Sequence, residues 1–456
     1  MSEFYCERAL LPEGWRRNVR LQAHEGIWTA ITPDSSLDGA TALGSAVIPG
    51  MPNLHSHAFQ RAMAGTADAF GRADDSFWSW REAMYRFAGL IEPESLYAVA
   101  AWLYVEMLER GYTRVCEFHY VHHNASGAAY AKSAAMSEAL IAAAQDTGIG
   151  LTLLPTLYQR GGFRNEALLP RQRRFEHRLE DFARLLEHLA TSAGGSGLRL
   201  GAAIHSLRAV DVDAANVLVG LPLLRERPIH IHIAEQRREV DDCLAVHGVR
   251  PIAFLLDRIN VDARFCLVHA THTERIERER LVAVGAIVGL CPTTEANLGD
   301  GLFPIEEWRD LGGAWGIGSD SHIGLDPREE LRWLEYQARL GSGRRTVLAS
   351  VTRREVAANL WGEAVSGGAK AAGAPAAGFA VGADADWISI DVNDPALAGH
   401  AAESLLAAWI FGPSRAAISV GVAGIERVSA GNHPQRERFA IGYRSALARL
   451  REASSP

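Results

Sequence analysis

The sequence predicts an α/β protein, a TIM (β/α)8 barrel with a small β-sandwich domain formed by both termini. Two observations indicate this fold class. Between residues 50 and 370, short apolar stretches alternate with longer helical patterns, which is typical of repeated β-α units around a parallel sheet. Short apolar runs separated by turn residues, which indicate small antiparallel strands, occur before residue 50 and again after residue 370.

Residues 1–49 are predicted to form the N-terminal part of the sandwich. Its apolar runs lie at 19–21, 27–31 and 46–48, and Pro49 and Gly50 close the last one. Residues 371–456 are predicted to complete the sandwich, with strands at 386–391 and 416–423. The stretch SGGAKAAGAPAAG, rich in Gly, Ala and Pro, is interpreted as the linker that leads there.

The barrel is predicted to span residues 50–370. Eight strand candidates supply the number that closes a TIM barrel. They lie at 46–54, 113–119, 149–154, 198–205, 229–234, 265–269, 287–291 and 314–320. Helical patterns between and after them include 94–110, 129–146, 173–190 and 327–340.

Composition excludes several classes of function. The 46 basic and 54 acidic residues give a formal net charge of -8 without the basic block that nucleic-acid binding requires. The only lysines, Lys132 and Lys370, do not end apolar strand-like runs, so a Schiff-base or metal-bridging lysine is not expected. Five widely spaced cysteines without a CxxC pair indicate neither disulfides nor a thiolate zinc site. With no signal peptide and no apolar run of membrane-spanning length, we expect a cytoplasmic protein without a membrane partner.

The strongest local signal is MPNLHSHAFQ, in which His55 and His57 stand two apart at the end of an apolar run. Alternate residues of a strand face the same side, so both imidazoles should face the barrel axis at its C-terminal mouth. That geometry suits a metal ion. An isolated pair of this kind is more often two exposed loop histidines, so it does not decide the matter alone.

A second pair lies in PIHIHIAEQ, where His230 and His232 share a face of a nearly apolar strand and Glu235 follows. Imidazoles inside a buried parallel strand are costly unless they are hydrogen-bonded or bind a metal. His232, at the strand end beside Glu235, is the expected ligand. His230 lies one pleat deeper and is expected to be a hydrogen-bonded core residue.

Two more strand ends carry His269, in FCLVHATH, and Asp320, in WGIGSDSH. Taken singly, His269 could be a core residue and Asp320 a helix N-cap. In combination, three imidazoles and one carboxylate at the ends of strands one, five and eight suit a zinc-type site with room for a water. His269 is then left to hydrogen-bond that water.

This set of residues indicates metal-assisted hydrolysis at an sp² carbon. A divalent metal lowers the pKa of its water to about 7, which supplies a hydroxide nucleophile at neutral pH. Asp320 and His269 are expected to orient the water and take up its proton. Glu235, outside the ligand set, is placed to protonate a departing nitrogen or to hold an amidine.

Further polar residues follow other strands at the same mouth. They are Arg81 in WSWREAMYR, Tyr120, and His205 with Arg208 in IHSLRAV. Guanidinium groups match carboxylates through two parallel hydrogen bonds, so two arginines suggest an anionic substrate such as a dicarboxylate. Each arginine could instead be a surface or helix-terminal charge.

The motifs HSH, HIAE and SDSH, with His269, resemble those of the metal-dependent amidohydrolase superfamily, in its deaminase branch. More narrowly, NLHSHAFQRAMAG, DSFWSWREAMYR, EFHYVHH, HSLRAV, HIHIAEQ and TTEANLGDG are similar to the formimidoylglutamate deiminase family. The resemblance covers the whole chain, since PAAGFAVGADADWISID is similar to the segment that resumes the terminal sandwich in such enzymes. It implies hydrolysis of N-formimidoyl-L-glutamate to N-formyl-L-glutamate and ammonia in histidine degradation, by a homodimer.

The resemblance also implies roles for individual residues. One zinc ion would be held by His55, His57, His232 and Asp320. The catalytic groups would be Glu235, His269 and Asp320. The substrate would be held by Gln60, Arg81, Tyr120, His205 and Arg208. One departure from the family pattern is Pro292, where we expect a small polar residue in the loop after the seventh strand.

One alternative is a related amidohydrolase that deaminates an aromatic or nucleoside amine, as guanine and adenosine deaminases do. It would need a stacking pocket, which Phe77, Trp78 and Trp80 could line. Packing that holds Arg81 in place is the interpretation we favour for these aromatic residues.

A second alternative is a barrel that binds a metal structurally without catalysis. Structural zinc sites are closed by four protein ligands and lack a spare acid. Glu235 and His269 would have no use in such a site, which favours an enzyme.

Overall fold

The computed structural model describes residues 1–65, 77–192, 197–350, 354–414 and 419–454. The first strands along the chain belong to a sheet separate from the barrel: β1 (Ser2–Leu11), β2 (Gly14–His24), β3 (Ile27–Thr32), β4 (Thr41–Gly44) and β5 (Ala46–Pro49). Along β2, Val19, Leu21 and Ala23 are buried while their neighbours are more exposed. This alternation follows from the two-residue period of a strand.

The prediction of a single strand at 46–54 is wrong, because β5 ends at Pro49 and β6 (Met51–Ser56) begins the barrel. Gly50 separates the two strands. A Cβ at this position would lie 2.4 Å from Thr113 Cγ2. The glycine therefore lets the chain pass close to Thr113 as it changes from one sheet to the other.

The barrel continues with eight further parallel strands. They are β7 (Tyr112–His119), β8 (Gly150–Leu157), β9 (Leu198–Leu200), β10 (Ala202–Ile204), β11 (Ile229–Ile233), β12 (Phe265–His269), β13 (Ile287–Leu290) and β14 (Ala314–Ile317). The hydrogen-bonded order runs from β6 through β7, β8, β10, β11, β12 and β13 to β14, and β9 pairs with β8. A parallel bridge between Ser56 and Asp320 links the last strand to the first. This nearly closed barrel confirms the predicted fold class.

The fourth predicted strand, 198–205, is interrupted at Gly201 and forms β9 and β10. A Cβ at Gly201 would lie 2.5 Å from the carbonyl oxygen of Pro228. The close approach of the neighbouring chain therefore divides the strand into two short pieces.

The helices of the barrel region are α1 (Phe77–Ala88), α2 (Pro93–Arg110), α3 (Ala135–Thr147), α4 (Leu179–Ser192), α5 (Val212–Val219), α6 (Arg237–His247), α7 (Pro251–Arg258), α8 (Arg275–Ala283), α9 (Pro292–Leu298), α10 (Ile305–Asp310), α11 (Pro327–Ser342) and α12 (Val356–Ala371). Short 3-10 helices occur at Ala58–Met63, Pro170–Phe175 and Pro222–Leu224. The helix predicted at 129–146 begins later, at Ala135.

The helix predicted at 173–190 is divided in the structure, where the 3-10 helix Pro170–Phe175 precedes α4. Arg174 explains the interruption, because its side chain is buried rather than facing solvent. Its Nη2 donates to the carbonyl oxygens of Ile91 and His123 at 2.7 and 2.9 Å.

The C-terminal part supplies β15 (Trp387–Ile390), β16 (Ser419–Val422) and β17 (Ile425–Val428) to the terminal sheet. The order is β17-β16-β15-β5-β1-β2-β3, with β4 paired to β1, so both termini build one sheet. Residues 416–418 of the strand predicted at 416–423 lie outside the described residues. This part also holds a 3-10 helix, Pro395–Leu397, and two helices that the sequence analysis missed, α13 (Ala402–Phe411) and α14 (Arg436–Ser454).

The linker prediction is wrong for the first six residues of SGGAKAAGAPAAG, which belong to α12. A Cβ on Gly367 would lie 1.8 Å from the carbonyl oxygen of Trp315, and one on Gly368 would lie 3.0 Å from Pro52 Cβ. These glycines allow α12 to pack closely against β14 and β6. In the part of the chain that is described, no helix is long and apolar enough to cross a bilayer.

Candidate active site

His55 and His57 lie at the C-terminal end of β6, where both are buried. The adjacent Ser56 Oγ and Ala58 N–H donate to the Glu117 carboxylate at 2.7 and 2.6 Å. Glu117 is buried on β7, and burial raises its pKa to about 8. Hydrogen bonds on both sides of His57 thus fix the end of the strand.

Side-chain atoms of four residues converge within 4.8 Å of one another: His55, His57, His232 and Asp320. His232 Nε2 lies 3.0 Å from His55 Nε2 and 3.3 Å from His57 Nε2. Asp320 Oδ1 lies 3.4 Å from the Nε2 atoms of both His55 and His57. Ligands about 2.1 Å from a tetrahedral ion lie ~3.4 Å apart, so these donor atoms fit a metal such as zinc.

Hydrogen bonds set the tautomers of two of these imidazoles. His57 Nδ1–H donates to the Phe118 carbonyl at 2.9 Å, and His232 Nδ1–H donates to the His205 carbonyl at 3.1 Å. A neutral imidazole protonated at Nδ1 has its lone pair on Nε2. Burial lowers the pKa of His57 and holds the pKa of His232 well below its usual value. The neutral form that a metal requires is therefore favoured.

The backbone is strained at two of the predicted site residues. His269 has a φ of 68° and Asp320 a φ of 44°, which are left-handed conformations that non-glycine residues rarely adopt. The N–H of Asp320 donates to the His55 carbonyl at 3.0 Å, which helps to hold this conformation. Strain of this kind is concentrated at functional sites.

His269 lies among three carboxylates. Its Nδ1 is 3.3 Å from Glu295 Oε1, and its Nε2 is 3.7 Å from Glu235 Oε1 and 3.8 Å from Asp320 Oδ2. Burial alone would lower the pKa of His269, but these carboxylates raise it to about 10. Burial raises the pKa of Glu235 to about 7, although His269 opposes this effect. A carboxyl group with this pKa can exchange a proton near neutral pH.

A cavity of about 70 Å³ adjoins these groups. Ten of the eleven predicted site residues line it: His57, Gln60, Arg81, Tyr120, His205, Arg208, His232, Glu235, His269 and Asp320. His55 is fully buried beside them, and its side chain belongs to the four that converge within 4.8 Å. The structure therefore brings the predicted site residues together at one end of the barrel.

Three arginines line this cavity: Arg81, Arg208, and Arg160, whose guanidinium group pairs with Asp211 and donates to the Leu207 carbonyl. Burial lowers the pKa of Arg81, and the nearby charge of Arg208 lowers it further. Burial would also lower the pKa of Arg208, but Glu239 and Glu235 raise it above its ordinary value. Two such cations in a small cavity provide a site for an anionic ligand.

Gln60 and Tyr120 form part of the same wall, where Gln60 Nε2 donates to Tyr120 Oη at 3.2 Å. The predicted core role of His230 is supported, because its Nε2 donates to the Ala371 carbonyl at 2.9 Å inside the barrel. Pro292 is the first residue of α9, where a missing N–H breaks no helical hydrogen bond. The departure at Pro292 therefore has a local structural reason.

Several lining residues were missed by the sequence analysis: Met84, Tyr85, Tyr158, Arg160 and Phe175. Tyr158 directly follows β8, just as Tyr120 directly follows β7, but β8 extends beyond the predicted third strand, which ends at residue 154. Phe77 and Trp80 also line the cavity. The side chain of Trp78 lies outside the described part of the chain.

Comparison with known proteins decides the family. Residues 46–424 match the model of the amidohydrolase family, and residues 1–45 match the N-terminal domain of formimidoylglutamate deiminase HutF. The chain belongs to the amidohydrolase family, in its formimidoylglutamate deiminase branch. This result confirms the resemblance and the enzyme class predicted from the sequence.

The relatives described below match between 80% and 99% of the chain. A formimidoylglutamate deiminase from Pseudomonas aeruginosa is 47% identical over 99% of this chain and 100% of its own. A 5-methylthioadenosine/S-adenosylhomocysteine deaminase from Natronomonas pharaonis is 28% identical over 80% of this chain and 76% of its own. The crystal structure of an amidohydrolase from Brucella melitensis superposes with a TM-score of 0.94 at 44% identity, covering 99% of this chain and 100% of its own.

Proposed function

We propose that the chain hydrolyses N-formimidoyl-L-glutamate to N-formyl-L-glutamate and ammonia, with one Zn²⁺, as a step of histidine degradation. The observation that carries this proposal is that Arg81 and Arg208 line the same cavity as three of the four proposed metal ligands, His57, His232 and Asp320. The proposed substrate has two carboxylates for the two cations and an amidine carbon for hydrolysis. The 47% identical relative is itself a formimidoylglutamate deiminase.

The proposed zinc ligands are His55, His57, His232 and Asp320. A zinc ion bound there would supply Lewis acidity and a water of lowered pKa. The spacing of the four donor atoms and the neutral state of the imidazoles support this assignment. Membership of the amidohydrolase family is consistent with a metal-dependent reaction.

Glu235 and His269 are proposed to manage the protons of the reaction. The Glu235 carboxyl, with a pKa raised to about 7, would protonate the departing nitrogen or hold the amidine, while Asp320 and His269 would orient the attacking water and take up its proton. His269 is held through its Nδ1 by Glu295 and would orient the water through Nε2. Asp320 lies 3.8 Å from that Nε2 and would share this role.

The remaining predicted residues are proposed to bind the substrate. Arg81 and Arg208 would pair with its carboxylates, because buried guanidinium groups bind such anions through two hydrogen bonds. Gln60, Tyr120 and His205 line the same cavity and would orient the rest of the molecule.

Ammonia release from N-formimidoyl-L-glutamate by the zinc-loaded protein tests the proposal, with guanine, adenosine and N-formimidoylglycine measured in parallel. Rapid release from the glutamate compound alone is the expected result. Release from guanine or adenosine alone would support the aromatic-amine alternative, for which Phe77 and Trp80 line the cavity. No release from any compound would support a non-catalytic barrel.

Arg81→Met and Arg208→Met test the recognition of the carboxylates. Loss of a hydrogen bond to a charged group costs about 1.5–3 kcal/mol, so each variant should lose roughly 10- to 100-fold in kcat/KM. Arg184→Met is a matched control, because Arg184 is exposed on α4 and pairs with Asp181, three residues away. Unchanged kcat/KM in both cavity variants would contradict the proposed recognition.

We further propose a cytoplasmic homodimer, with domain boundaries near residues 49/50 and 370/371. The separate terminal sheet supports the first boundary, since β5 ends at Pro49. The end of α12 at Ala371 supports the second. Sedimentation of the purified protein tests the dimer.

A further inference from the structure

A buried glutamine that the predicted site does not include contacts two tyrosines of the cavity wall, Tyr158 and Tyr85. Gln172 lies in the 3-10 helix Pro170–Phe175 and is 4% exposed. Its Oε1 accepts from the Leu169 N–H at 2.9 Å, and its Nε2 donates to Tyr158 Oη at 2.8 Å. The bond from Leu169 identifies the two ends of the amide, because only the oxygen can accept from a backbone N–H.

This arrangement determines where the Tyr158 hydroxyl can donate its hydrogen. Its oxygen already accepts a hydrogen bond, so its O–H hydrogen is directed to a different acceptor. Within the described ranges, the hydroxyl donates to no protein acceptor. Tyr158 lines the cavity together with Arg81 and Arg208, and its ring lies 4.6 Å from that of His205. Burial raises the pKa of Tyr158 above its usual value, which keeps the donor protonated at neutral pH.

We propose that Tyr158 is a specificity-determining residue whose hydroxyl donates to a substrate carboxylate, and that Gln172 is the positioning residue that directs it. This inference rests on the proposed function, because it requires a dicarboxylate in the cavity. Phe175, on the same 3-10 helix as Gln172, packs with ring centroids 5.7 Å from Tyr158 and 5.1 Å from Tyr120. The two arginines attract any anion, whereas a hydroxyl of fixed direction selects the position of one carboxylate oxygen.

Tyr85 provides an internal comparison. It also lines the cavity, but its Oη lies 3.4 Å from Gln172 Nε2, which is long for a hydrogen bond. Gln172 therefore positions Tyr158 more strongly than Tyr85. The same hydroxyl deletion is expected to affect binding more at Tyr158 than at Tyr85.

The test compares Tyr158→Phe, Tyr85→Phe and Gln172→Met with wild type in the zinc-loaded enzyme. Tyr158→Phe is expected to raise KM roughly 10- to 100-fold with a smaller change in kcat, because it deletes a hydrogen bond to a charged group. Tyr97→Phe is the matched control, since its hydroxyl bonds to Asp146 away from the cavity. Equal KM values for Tyr158→Phe and wild type would overturn the proposal.

A double mutant distinguishes positioning from packing at Gln172. Gln172→Met keeps the volume of the side chain but removes the amide, so a packing role would leave KM unchanged. If Gln172 acts through Tyr158, the Tyr158→Phe/Gln172→Met enzyme should have the same KM as Tyr158→Phe alone. Fully additive effects would assign Gln172 a role independent of Tyr158 and overturn its positioning role.

Substrate analogues identify the carboxylate and separate this inference from the proposed function. N-formimidoylglycine lacks the side-chain carboxylate, and 4-(formimidoylamino)butanoate lacks the α-carboxylate. The effect of Tyr158→Phe should vanish on the analogue without the carboxylate that the hydroxyl binds, and an effect on both would overturn the inference. Glutarate binding by calorimetry, which needs no turnover, should weaken in Tyr158→Phe. An inactive wild type would refute the proposed function, whereas an active wild type matched by Tyr158→Phe would refute only this inference.

Discussion

Replacement of Glu235 by Gln isolates the proposed proton transfer from metal binding. The side chain is 6% exposed, and Gln has nearly the same volume, so packing should be preserved. Burial raises the pKa of Glu235 to about 7, so its carboxyl can gain or lose a proton near neutral pH, whereas an amide neither gives nor takes a proton there. General acid–base catalysis contributes ~10²- to 10⁴-fold, so kcat should fall by that factor, or about 3–5 kcal/mol of transition-state stabilisation.

The assay combines kcat for ammonia release with the zinc content of the same samples. Zinc content should stay at the wild-type level, because Glu235 is not one of the four proposed zinc ligands. His269 would also keep its Glu295 partner at 3.3 Å. Glu277→Gln controls for the loss of a buried carboxylate, since Glu277 binds Arg250 outside the cavity. A zinc-loaded Glu235→Gln enzyme with wild-type kcat would refute this role.

Three further predictions concern packing, pH and the metal. Gly367→Ala should lower the free energy of unfolding, measured in urea, by about 3 kcal/mol or more, because its Cβ would lie 1.8 Å from the Trp315 carbonyl oxygen. Gly362→Ala on the same helix has open space around it and should leave the free energy of unfolding unchanged or increase it. Equal effects of the two substitutions would contradict the packing argument. Burial, with the charge of Asp384, raises the pKa of Asp386 from 3.8 to about 7, so the stability contributed by its neutral form is complete below pH 4 and lost as pH rises through 7. Asp386→Asn should therefore increase the free energy of unfolding above pH 7 relative to wild type and leave it unchanged near pH 4. If the free energies of unfolding of variant and wild type had parallel pH profiles, this prediction would be wrong. Chelation should abolish ammonia release and lower the Tm, with Zn²⁺ restoring both, while an unchanged Tm would argue against a metal bound to the native state.

The barrel and most of the predicted site could be read from the sequence because strand ends are local signals. His55 with His57, His232, His269 and Asp320 each close a short apolar run, and parallel strands bring such ends to one mouth. The comparisons confirm the family, while the individual roles of these residues stay predictions for the variants above.

Tyr158 shows why part of the cavity could not be predicted. The predicted third strand ends at Leu154, before Pro155, which lacks the N–H that a central strand normally needs. In the structure β8 continues through Pro155 to Leu157, with Pro155 opposite His119. Tyr158 therefore follows a strand whose end the sequence pattern does not indicate.

Close packing explains two other differences between the predicted and the observed elements. The glycines of α12 suggested a flexible linker, but Gly367 is required by the nearness of Trp315. The break at Gly201 has the same origin, because the carbonyl of Pro228 approaches it. Contacts between distant parts of the chain determined both outcomes, and no local pattern records such contacts.

The order of strands in the terminal sheet has a consequence for biosynthesis. β5 lies between β1 and β15, so its second neighbour is made only after the whole barrel has been translated. At a translation rate of ~5–20 residues per second, β15 is synthesised roughly 20–70 s after β5. During this time an apolar strand edge is open to pairing with other nascent chains. Ribosome stalling before residue 387 should therefore yield an aggregation-prone species even though the barrel sequence is complete.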